Sequence, residues 1–69
     1  MNRTTGLNTQ PNLADPDGFY AALMAAHEGL TKAQSDALNA RLVLILANHI
    51  GDEEVLKQAL AAARKSARA

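Results

Sequence analysis

The chain predicts an all-α fold: a three-helix unit with a long, apolar central helix, assembling as a helical-bundle oligomer. Three observations carry that expectation. Helix-start signatures recur at Asp15 with Pro16, at Thr31 with Gln34, and at Asp52. Apolar residues behind each start fall at spacings of three and four, the period of one helical face. Finally, the run Leu42, Val43, Leu44, Ile45, Leu46 and Ala47 makes the second helix apolar on nearly every side, so it needs cover on nearly every side.

Residues 1–13 mix Asn, Thr, Gly, Gln and Pro without periodicity, which predicts a flexible N-terminal arm ahead of one helical domain over residues 14–69. The first helix is expected over about residues 16–28. The Asp15 carboxylate accepts from free amide hydrogens, Pro16 tolerates the first helical position, and Asp17 adds first-turn acidity. Phe19, Leu23 and Ala26 share a face with Tyr20 and Met24 beside them, and Gly29 is the stop. His27 falls near the end of this helix, where its charge suits the dipole.

The second helix is expected over about residues 32–50, roughly 28 Å long at 1.5 Å per residue. Thr31 and Gln34 form its capping box, Leu30 stands just ahead to close the hydrophobic contact, and Gly51 ends it. Leu38, Leu42, Ile45 and His49 recur as a heptad-like seam, bordered by Val43, Leu46 and Ile50 and by a third stripe of Ala40, Leu44 and Ala47. Only Asn39, Arg41 and Asn48 interrupt the apolar surface of its second half. The third helix, about residues 53–66, starts on the Asp52 cap with Glu53 and Glu54 in the first turn. Val55, Leu56, Ala59, Leu60, Ala62 and Ala63 give it an apolar stripe of mostly small residues, suited to close helix approach. Glu53 and Lys57 are placed as a favourable four-residue pair. No internal repeat occurs.

Size turns the central helix into a prediction about assembly. A 7.3 kDa chain folded alone exposes about 4,200 Å² and buries too little to outweigh chain ordering comfortably. The absence of Cys excludes a disulfide and a Cys-based metal site, so oligomerisation is the remaining staple. The first and third helices can cover two sides of the second; a copy of the chain is expected to cover the rest, as a two-fold homodimer or higher even oligomer. The expected interface is Leu38, Leu42, Ile45, Leu46 and His49.

Seven basic residues balance seven acidic ones, so net charge gives no general attraction to nucleic acid or anionic lipid. The signs are nonetheless segregated: Asp52, Glu53 and Glu54 precede Lys57, Arg64, Lys65 and Arg68, an order that complements a helix dipole. A basic third helix touching phosphates is the alternative reading of that order. A helix-turn-helix is argued against by Glu53 and Glu54, which would stand at the end entering the groove. Residues 1–11 lack the apolar core of a secretory signal, and the apolar run is far short of a membrane span, so a cytoplasmic protein without membrane association is expected.

Signals for chemistry are sparse. His27 and His49 lie on different helices, and no H-E-x-x-H pair accompanies them, so no metal site and no cofactor is predicted. No Ser-His-Asp order, phosphate-cradling Gly loop or dinucleotide fingerprint occurs, and no catalytic residue is assigned. Asp15, Asp17 and Tyr20 group acids with a phenol, but helix capping explains the acids. Arg41 and Asn48, seven residues apart on one helical face, are the candidate recognition residues; as polar groups in the most apolar helix they either fix dimer register or meet a partner's acidic group. A small-molecule or enzymatic pocket formed between chains around His49, Arg41 and Asn48 is the alternative function.

The strings NLADPDGFYAALMAAHEGL and LNARLVLILANHIGDEEVLKQALAAAR, spanning about Asn12 to Arg64, resemble a family of short bacterial proteins filed as a domain of unknown function, DUF2783. The DPDxFY, AHxGL and LNARLxLxLANHIGD segments carry the likeness. The residues point to a non-catalytic helical oligomerisation or interaction protein; the resemblance implies a unit complete at this length and suggests a small accessory subunit of a larger bacterial oxidoreductase.

Overall fold

A computed structural model describes residues 6–69; the first five residues of the expected arm lie outside the described residues. Three helices follow one another, α1 (Pro16–His27), α2 (Lys32–Ile50) and α3 (Glu53–Arg68), and no strand occurs among the described residues. Each begins on a side chain that satisfies amide hydrogens left free by the first turn. Asp15 Oδ1 accepts from Gly18 N–H at 3.0 Å, with Pro16 behind it. A Cβ at Gly18 would collide with that carboxylate, so the glycine is what lets the cap close. Thr31 and Gln34 form a reciprocal box: Thr31 Oγ1 accepts from Gln34 N–H at 3.2 Å, and Gln34 Oε1 accepts from Thr31 N–H at 3.0 Å. Asp52 Oδ1 accepts from both Glu54 N–H at 3.0 Å and Val55 N–H at 3.3 Å.

The ends are as local as the starts. Helix α1 stops one residue before Glu28, whose ψ of 133° is extended, and the left-handed Gly29 then turns the chain toward α2. Gly51, at φ 74°, closes α2 with its N–H bonded to Ala47 O at 2.9 Å. Helix α3 continues to Arg68, two residues past Ser66, because nothing after Ser66 breaks it: Ala67 and Arg68 are good helix formers, and there is no Gly or Pro.

Packing between the helices is thin. None of the described residues is buried. The chain exposes 6185 Å², about 2,000 Å² more than a compact protein of its mass. Its radius of gyration is 14.0 Å, against about 11 Å for a compact chain of this length. What core exists is half-buried and lies in two places. Leu23, His27, Ser35, Leu38 and Leu42 meet where α1 crosses α2, and Leu7, Ala47, Val55, Leu56 and Ala59 are the half-buried apolar residues of the arm, the end of α2 and the start of α3. The arm segment from Gly6 to Asp15 has no helix, and its Leu7 N–H donates to Gln58 Oε1 of α3 at 2.7 Å.

Candidate interaction surface

The corner between α1 and α2 is fixed by a polar side-chain chain. His27 Nδ1 lies 2.9 Å from Ser35 Oγ, and His27 Nε2 lies 3.1 Å from Asn39 Oδ1. With its proton on Nε2, the neutral ring donates to Asn39 Oδ1 and accepts from the Ser35 hydroxyl, satisfying both nitrogens. Ser35 and Asn39 are one turn apart on α2, so a single ring at the end of α1 spans both. Sequence reasoning assigned His27 only to the helix dipole. The signal for its partners was the short α1–α2 turn, which returns the chain beside the first turns of α2, together with the four-residue spacing of the two polar residues.

A hydroxyl, an imidazole and an amide in a row have the outline of a nucleophile–base–orienter set, with the Ser35 amide and those after it tied into the helix. Ser35 N–H donates to Thr31 O at 2.9 Å within the helix, and the following amides of α2 are bonded in the same way. The trio is a clamp on the hairpin.

Below the clamp runs a groove of about 340 Å³, lined by Phe19, Ala22, Leu23 and Ala26 of α1 and by Leu38, Arg41, Leu42 and Ile45 of α2. Arg41 is its one charged residue. Asn48 and His49 are not part of its lining. No cluster of three His, Cys, Asp or Glu side chains able to hold a metal occurs among the described residues.

The five residues expected at an interface divide between two situations. Leu38 and Leu42 are half-buried on the side of α1, whereas Ile45, Leu46 and His49 are exposed. Further apolar side chains are exposed as well: Val43, Leu44 at 70 % and Ile50 on α2, Phe19, Tyr20 and Met24 on α1, and Leu60 at 64 % on α3. Charge on the surface is lightly paired. Lys32 bonds Asp36 at 3.0 Å and Lys57 meets Glu53 at 3.8 Å, both four-residue pairs in solvent and worth a few tenths of a kcal/mol each. Arg41, Arg64, Lys65 and Arg68 have no ion-pair partner among the described residues.

A family model described as "Protein of unknown function (DUF2783)" matches residues 7–65. The chain belongs to this DUF2783 family. The matched stretch takes in α1, α2 and most of α3, and it opens at Leu7, the residue whose amide docks on Gln58. That start makes the docked arm part of the DUF2783 unit. No curated protein and no solved structure matches the chain. Among the described residues, no helix is long and apolar enough to cross a membrane.

Proposed function

We propose that this DUF2783 protein is a non-catalytic helical interaction module whose working form is a homo-oligomer, at minimum a two-fold dimer, with the exposed surface of α2 covered by a second copy. The single observation behind this reading is that a chain with three well-capped helices buries no residue among those described. Secondary structure is locally well specified, but apolar side chains at Val43, Leu44, Ile45, Leu46 and Ile50 are left in water. Contiguous exposed apolar surface of this kind marks an association site. Leu38, Leu42 and Ile45 line the groove toward α1, with Leu46 and His49 exposed beside them.

Light scattering on the purified protein tests the reading. A mass at least twice that of the chain is expected, with a melting temperature that rises with protein concentration, as mass action requires. A monomer with a concentration-independent melt at micromolar concentration defeats it. Native purification supplies the competing outcome: a larger subunit recovered at stoichiometric ratio, with no homo-oligomer present, would make that subunit the cover and the protein an accessory chain.

A further inference from the structure

We infer that the second copy docks its α3 antiparallel on α3 of the first, with Glu53 of each chain facing Arg64 of the other; this rests on the self-association proposed above. The two halves of α3 differ in cover. Val55, Leu56 and Ala59 are half-buried against their own chain, whereas every residue from Leu60 to Ala69 is exposed. Leu56, Leu60, Ala63 and Ala67 follow spacings of four, three and four, which forms one stripe along the helix, and the small residues at its far end permit close approach.

Charge then fixes the direction. Glu53 and Arg64 are eleven residues apart, within about 20° of the same angular position on a helix, and both flank the Leu60 edge of the stripe. A two-fold axis crossing α3 midway between them brings each Glu53 to the partner's Arg64. Parallel docking would instead set Glu53 and Glu54 against the same acids, and Arg64, Lys65 and Arg68 against the same bases, a like-charge arrangement. Among the described residues of its own chain Glu53 pairs only with the exposed Lys57 at 3.8 Å, and Arg64 has no ion-pair partner. The helix dipole explains why acids lead and bases follow in one chain. It does not require Glu53 and Arg64 to share a flank, and it couples nothing between chains.

A charge-swap pair in the full chain tests the docking. Glu53→Arg and Arg64→Glu each place two like-charge contacts in the proposed dimer, and each variant is expected to associate at least about tenfold more weakly than the unmodified chain in sedimentation at low ionic strength. Mixed in equal amounts, the two variants restore both contacts, so a heterodimer within about threefold of the original affinity is expected. Helical content by circular dichroism accompanies each measurement. If the unmodified chain dimerises but the variants dimerise equally well, or weaken without rescue on mixing, the antiparallel docking is overturned while self-association stands. If the unmodified chain is monomeric, both readings fall together.

Discussion

The two sides of α2 are built from the same kinds of residue and meet different fates. Toward α1, Ser35, Leu38 and Leu42 are half-buried, and the His27 ring is bonded across to Ser35 and Asn39. Away from it, Val43, Leu44, Leu46 and Ile50 stand in solvent. An α-hairpin can shelter only one stripe of its longer helix, and α3 is exposed from Leu60 onward, so its far half adds no cover. Apolar content therefore measures how much cover a helix needs, and topology decides which part its own chain supplies.

Spoiling the bare side is expected to have the largest effect. Replacing Val43 and Leu46 together by Asp is expected to raise the oligomer dissociation constant at least 100-fold, about 3 kcal/mol, in sedimentation equilibrium. An unchanged mass would mean that this side is solvent-facing in the working protein. The sheltered side gives the opposite signature. Leu42→Ala is expected to lower unfolding stability by about 2 kcal/mol in urea, because the site is half-buried and not sealed, while the variant keeps its oligomeric mass at concentrations where it remains folded.

Smaller effects sharpen how the sheltered side is held. His27→Ala leaves the Ser35 hydroxyl and the Asn39 amide without their ring partner and is expected to destabilise by about 1 kcal/mol. In exchange measurements, amide protection should fall first at the start of α2; uniform loss along the chain would argue that His27 acts through the whole fold and not through the corner. Gly51→Ala places a Cβ on a left-handed backbone at φ 74° and is expected to cost about 1 kcal/mol by thermal melting. Thr31→Ala removes one side of the capping box, with an expected loss somewhat under 1 kcal/mol in the same assay.

Caps and stops were legible because they are short-range. Asp15, Thr31 and Asp52 each bond amide hydrogens two or three residues ahead, and Gly29 and Gly51 adopt the positive φ that glycine tolerates. The Glu53–Lys57 spacing was readable for the same reason, since four residues on a helix fix which side chains are neighbours. The His27 clamp was not, because Ser35 and Asn39 become its neighbours only after the chain reverses at Gly29. Nor was the docking of Leu7 on Gln58, which joins positions 51 residues apart. Such a contact depends on where three helices end up in space, and no periodicity within the arm encodes it.

Three helices, their caps and a surplus of apolar residues on α2 follow from spacings of two to four residues and from composition. Tertiary structure decided the rest. It turned Leu38 and Leu42 toward α1, left Val43, Leu44 and Leu46 bare, tied His27 to α2, and carried the far half of α3 clear of its own chain. The reason is geometric: a helical stripe specifies that it must be covered, but the crossing of α1 over α2 and the exposed far half of α3 settle which stripe the chain itself reaches.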